Sequence, residues 1–211
     1  MRNFLQGRIE LVQALQASPL GAEQQDLVLI LTATISACAA CRWPGDGFDR
    51  KRFVESLIRF GAPSLHLDYI SVGALLEMGL ISVSETPWKG FPGQFRIFTG
   101  EEIDCSLADM AIRYPHLAKL DLKKASYASL IYRWLRCGYS HNYWAAGNTT
   151  HVAPSRIPAQ ISYITRRQPD GKHIRVASFH LDYLIEVAQN QVSTLEDNPL
   201  ERPSAWWIEQ P

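Results

Sequence analysis

Apolar residues recur every three or four positions along most of the chain, and that period predicts helices. Phe4, Ile9, Leu11, Val12 and Leu15 mark an amphipathic helix over residues 3–16 with these side chains inward, stopped before Ser18-Pro19. Leu27, Ile30, Leu31, Thr34, Cys38 and Cys41 mark a second over 22–42, cut off by Pro44-Gly45-Asp46-Gly47. Phe53, Val54, Leu57 and Ile58 mark a third over 49–60, with Gly61 as its stop. A short helix fits 106–113. A longer one fits 122–137, with Tyr127, Leu130, Ile131 and Trp134 inward and Ser126, Ser129, Arg133 and Arg136 on a polar stripe. The last helix, over 181–195, places Leu181, Leu184, Ile185, Ala188, Val192 and Leu195 on one face.

The period changes in two places. Residues 161–167 and 172–179 are β-prone runs around Gln168-Pro169-Asp170-Gly171, a hairpin in which Pro and Asp set the turn and Gly takes the positive φ. Residues 62–105 carry Pro87, Gly90, Pro92, Gly93 and Gly100 and read as a loop-rich insertion, with a helix closed by Gly79 and a strand at 95–98. The expected architecture is a mainly α single domain over 1–211: a helical bundle with this insertion, one hairpin at 161–179 and an irregular tail at 197–211.

Composition narrows the function classes. At 46% hydrophobic and 20% charged, the 211-residue chain is globular rather than disordered. With 21 basic and 21 acidic residues the net charge is zero, so no global field draws polyanions, and a nucleic-acid partner must be met by a local site. Residues 27–41 are uncharged but fall short of the ~20 apolar residues a span needs, and they include Thr32, Thr34 and Ser36. They read as a buried helix, with no membrane partner expected. Four cysteines and no secretion signal suggest free thiols in the cytoplasm. Cys38-x-x-Cys41 lacks a second ligand pair and sits on an apolar helix, where core packing accounts for it.

The chemistry is concentrated at Arg136-Cys137-Gly138-Tyr139-Ser140-His141. A neutral His can take the proton from a ribose 2′-hydroxyl, and a permanently charged Arg can grip the phosphate oxygens on which charge gathers. Together they suit RNA cleavage without metal or cofactor. Spacing alone is a weak signal, since chance gives about 0.4 such pairs in a chain of this composition, and Arg175…His180 repeats it where a strand hands over to a helix. On an unbroken helix residues five apart are rotated by ~140°. The pair therefore converges either because Gly138 ends the helix, or because two copies meet across a symmetric dimer.

Leu135-Arg136-Cys137-Gly138-Tyr139-Ser140-His141, behind an aromatic-rich helix, resembles the Arg-x4–6-His signature of HEPN-domain proteins. The resemblance covers the motif helix and its turn well and the rest of the chain loosely. It implies a helical bundle dimerising through the motif helices, and a metal-independent endoribonuclease of the kind found in prokaryotic toxin–antitoxin or anti-phage systems. Arg136 would stabilise the phosphate and His141 would be the general acid/base. The position after the Arg, usually Asn, His or Asp in active members, is Cys137 here, as in an inactive member that binds RNA or a partner without cleaving it. His141-Asn142-Tyr143 completes an Arg-x4-His-x-Tyr pattern similar to toxins whose Tyr is adenylylated by an antitoxin nucleotidyltransferase. That makes Tyr143 a modification candidate, with Asn142 and Ser140 supporting the site. Lys123, Lys124 and Arg133 would guide the substrate as a basic rim. A different reading is a winged-helix-like DNA-binding regulator, from the helical stretch 64–78 followed by a loop and Phe95–Phe98; that stretch has no Lys or Arg to meet phosphates.

Overall fold

Helix α2 (Gln24–Arg42) packs against α1 (Arg2–Gln16) and α10 (Leu181–Ser193), and also against α3 (Asp49–Phe60) and the helix that carries the Arg-x4-His segment. This arrangement is seen in a computed structural model that describes residues 1–18, 24–87, 97–145, 159–167 and 173–210. By length and composition α2 is apolar enough to cross a membrane. Its Leu27, Val28, Leu31, Ile35 and Cys38 are nevertheless buried in the central cluster, where burial pushes the Cys38 thiol up to about 12. In α1 the buried stripe is Leu5, Ile9 and Val12, at i, i+4 and i+7. Phe4 and Leu11, expected inward, lie on the outer side, with Phe4 under the Arg8 guanidinium.

The expected single helix over 122–137 is two helices. Helix α7 (Lys119–Lys124) ends at Ala125, and Ser126 N-caps a new one, its hydroxyl accepting from Ser129 N at 3.2 Å. Ser126 and Ser129, expected on an outer polar stripe, are buried for this reason. The backbone at 67–71 satisfies the next orphan donors: Tyr127 N bonds Tyr69 O at 2.9 Å and Ala128 N bonds Leu67 O at 3.0 Å.

The expected insertion at 62–105 is also revised. Its described residues Leu65, Leu67, Ile70, Val72, Leu75, Phe98 and Ile103 belong to the common core. Helix α4 (Val72–Glu77) is capped by Ser71 and closed at Gly79 (φ +69), with Leu80 N bonded to Leu75 O and Gly79 N to Leu76 O. Val72, Ala74 and Leu75 of this helix are buried. After α4 come β1 (Phe98–Thr99), α5 (Gly100–Ile103) and α6 (Leu107–Arg113).

The predicted hairpin strands are β2 (Ile161–Arg167) and β3 (His173–Phe179), antiparallel with Ile161 opposite Phe179 and Tyr163 opposite Ala177. The predicted turn at 168–171 lies outside the described residues. Strand β1 adds to the other edge of β2, giving a three-stranded sheet in order β1-β2-β3. The Arg175…His180 pair is structural, as expected: Arg175 covers the Phe98 ring, and buried His180 bonds Ser162 Oγ through Nε2 at 2.7 Å.

Where sheet, α4 and α8 (Tyr127–Leu130) meet, Asp104 is buried. One carboxylate oxygen accepts from Val72 N at 2.9 Å, and the other from both Tyr127 Oη and Tyr163 Oη at 2.7 Å. Gly100 makes this approach possible, since a Cβ there would collide with the Tyr127 hydroxyl. We expect Gly100→Ala to destabilise the protein by about 3 kcal/mol, read as a lower urea midpoint at unchanged slope, because the Tyr127 ring is fully enclosed and has nowhere to retreat.

The tail is irregular, as expected, apart from a 3-10 turn at Trp207–Glu209, and it is strapped down. Trp206 packs between Trp43 and Phe48, Leu200 N bonds Arg42 O at 2.7 Å, and Trp43 Nε1 donates to Glu201 O at 3.1 Å.

Candidate functional site

The motif helix continues from α8 through a stretch of π-helix, Ile131–Arg136, into α9 (Cys137–Asn142). A π turn closes its hydrogen bond over one more residue than an α turn and frequently occurs at functional sites. Here it bonds Cys137 N to Tyr132 O and stacks residues five apart. Burial pushes the pKa of the Tyr132 hydroxyl up, and the Arg136 guanidinium lies 5.5 Å from its ring centroid.

Other local rules are broken on the same helix. The Trp134 indole N–H and the Tyr139 hydroxyl are buried with no hydrogen-bond partner among the described residues, and burial raises Tyr139 to about 12. Tyr143, the residue that stops the helix, adopts a left-handed conformation at φ +54, unusual for an aromatic residue. Each such feature costs roughly 1–3 kcal/mol. Violations gathered on one element are what a functional segment produces.

Gly138 does not end the helix, contrary to the first expected route to convergence. It is buried inside α9, which runs on through His141 to Asn142. Arg136 and His141 thus point to different sides of one chain. Arg136 is half-buried and lines a cavity of about 80 Å³ with Ser36 and Ala39 of α2, Asp49, Arg52 and Phe53 of α3, and Tyr132. His141 is not among the lining residues. It is solvent-exposed, together with Ser140 and Asn142. Neither member of the pair is sequestered: His141 is outside the core, and Arg136 makes no ion pair among the described residues.

Tyr143 is 46% exposed, and its hydroxyl donates to Asp26 at the start of α2. The expected basic rim is corrected at Lys123. Lys123 is buried, with its ammonium donating to Trp207 O at 2.9 Å and Gln210 O at 2.7 Å, so it anchors the tail. Lys124 is held by Asp121 at 2.7 Å. Arg133 alone of the three is exposed without such a tether.

Sequence reading missed the other polar walls of the Arg136 cavity. Arg52 donates to Trp43 O at 3.2 Å and Gly45 O at 2.7 Å and pairs with Asp49; Ser36 bonds back to Thr32 O. Nothing in the spacing of the chain links Arg52 to Arg136. Among the described residues no group of three or more His, Cys, Asp or Glu is placed to hold a metal ion. The four cysteines are free thiols. Comparison of the chain with family models, with curated proteins and with solved structures finds no match.

Proposed function

We propose that this chain is a HEPN-type, metal-independent endoribonuclease of the cytoplasm, acting as a homodimer in a toxin or anti-phage defence setting. The observation that carries the reading is the helix itself. It bears an Arg with no carboxylate partner facing a small polar cavity, an exposed His five residues on, and a cluster of local strain between and around them. Because the two side chains diverge within one subunit, a working site takes Arg136 from one copy and His141 from another, placed by a two-fold axis.

In that site neutral His141 removes the proton from a ribose 2′-hydroxyl, and the 2′-oxygen attacks the adjacent phosphorus. Arg136 holds the non-bridging oxygens as their charge rises. The 5′-oxygen of the next nucleotide leaves and takes up a proton, giving a 2′,3′-cyclic phosphate and a 5′-hydroxyl. Tyr143 stands two residues from His141, where adenylylation by an antitoxin would block the cleft.

Purified protein should cleave single-stranded RNA in EDTA as well as in magnesium, leaving ends that resist phosphatase until the cyclic ester is opened. His141→Ala should lower the rate by about 10²–10⁴. Cleavage unchanged by that substitution rejects the reading. A second reading, an inactive HEPN-like RNA-binding or partner-binding module, draws on the divergence of Arg136 and His141 and on Cys137, which stands where active members of the family carry Asn, His or Asp. RNA binding without turnover in either buffer favours it.

A further inference from the structure

We propose that the cavity beside Arg136 is a phosphate pocket in which Arg52 is the second cation, and that it takes a phosphoryl group of an RNA strand. The proposal rests on the Arg136 half of the nuclease reading and adds a residue that the Arg-x4-His pattern does not contain. The cavity holds about 80 Å³. That is several times the space one water needs, ~10–15 Å³, and well below the ~300–1,000 Å³ of pockets that enclose whole small molecules. It suits a tetrahedral oxyanion whose sugar and base remain outside.

The walls supply what an oxyanion binds. The Arg136 guanidinium makes no protein hydrogen bond among the described residues, so its donors are uncommitted, while stacking on Tyr132 restrains its plane. Arg52 is fixed from behind by the carbonyls of Trp43 and Gly45, and by the Phe48 ring, 5.4 Å from its Cζ. A guanidinium held at one edge is pre-organised to receive an anion at the other. An anion already sits there: the Asp49 carboxylate is docked on Arg52 Nη2. Carboxylate and phosphate oxygens are read by the same fork. Asp49 and Arg52 also lie in the first turn of the twelve-residue α3, where the helix dipole adds positive potential. The floor, Ala39 and Phe53, is apolar and lowers the local dielectric. The two guanidiniums outnumber the one carboxylate, and Asp49 is the resident acceptor that an incoming phosphate must share with or displace.

That last point gives the test its sign. Binding is measured by titrating a fluorescent 2′-O-methyl oligoribonucleotide, which cannot be cleaved, so the result is independent of His141 chemistry. Arg136→Ala and Arg52→Gln should each weaken binding about tenfold or more. Asp49→Asn should tighten it roughly threefold. Arg52→Gln keeps a donor for the Gly45 carbonyl. Should it still fail to fold, Arg136→Ala, which removes no described hydrogen bond, and Asp49→Asn decide the matter.

Affinities within twofold of wild type for the folded variants overturn the proposal. Inorganic phosphate or a 5′-mononucleotide binding as tightly as the oligonucleotide, with the same variant pattern, overturns the strand assignment and makes this a site for free phosphate. If the variants behave as expected while His141→Ala leaves cleavage untouched, the pocket stands and the nuclease reading falls. If His141 and Arg136 govern cleavage but Arg52 and Asp49 leave binding unchanged, the reverse holds.

Discussion

Mixing Arg136→Ala protein with His141→Ala protein, each of them silent alone, should restore RNA cleavage to about a quarter of the wild-type level. The number follows from geometry. Arg136 lines the cavity between α2 and α3, whereas His141 is exposed and, five helical residues on, is rotated by ~140° from it, so the proposed site draws the two from different chains. If two copies form the cleft, each of its two sites joins one chain's Arg to the other's His. Random exchange makes about half of the dimers mixed, and a mixed dimer has one intact site and one doubly defective site, hence roughly a quarter of the activity. Each homodimer lacks the same group in both sites and should retain about 10⁻²–10⁻⁴ of the wild-type rate. A site formed inside one chain gives no recovery at any mixing ratio. The measurement is the initial rate on a labelled oligoribonucleotide after the two variants are co-incubated long enough to exchange.

Replacing Asp104 with Ala should cost about 3–5 kcal/mol, a large share of the ~5–15 kcal/mol that holds an ordinary domain together. The carboxylate is the meeting point of three donors from three elements: Val72 N–H at the start of α4, Tyr127 Oη on α8 and Tyr163 Oη on β2. Ala withdraws the acceptor and leaves buried polar groups facing a void.

The same group makes stability depend on pH. Desolvation raises the Asp104 carboxyl to about 7, outweighing the three hydrogen bonds that favour its charge. In the unfolded chain it titrates near ~3.9. Between those values the folded state binds the extra proton, so this group's contribution is fully present below about pH 4, is lost as pH rises to about 7, and is flat above that. The loss is on the order of a few kcal/mol. The two tyrosine hydroxyls are driven far above their ordinary range and stay protonated throughout. Wild-type urea midpoints should therefore fall from pH 5 to pH 7.5 relative to those of Asp104→Asn, which starts lower but does not titrate. Parallel pH profiles for the two proteins would refute this.

Long periodic elements were legible in the chain. Helix α3 was read to the residue, and α10 and the hairpin strands nearly so, because one buried stripe runs the length of each element. Among the short elements, α6 and the Gly79 stop of α4 were read and several others were not. The break between α7 and α8 rests on Ser126, whose capping hydroxyl was read as an outer polar position. Residues 62–105 looked like loop because their described elements are two to six residues long and are held by partners distant in the chain, such as Ile70 between Cys105 and Ser126. Lys123 was assigned to solvent on charge alone, yet its ammonium is wrapped by carbonyls of the tail. At the candidate site, Arg136 and His141 were found by chemistry and likeness, but their divergence was decided by Gly138 staying helical. The π stretch has no spacing signature, and Arg52 joins Arg136 only through tertiary packing.

Segments far apart in the sequence are tied together, and that sets how much of the packing can form locally. Arg2 donates to the carbonyl of Leu195; buried Arg42 is held by the neutral oxygens of Ser56, Gln191 and Thr194; and Trp43 is covered by Trp206. The packing of α1, α2 and α3 is therefore complete only when α10 and the segment after it are in place. Contacts of such long sequence separation slow folding relative to a bundle held by local contacts.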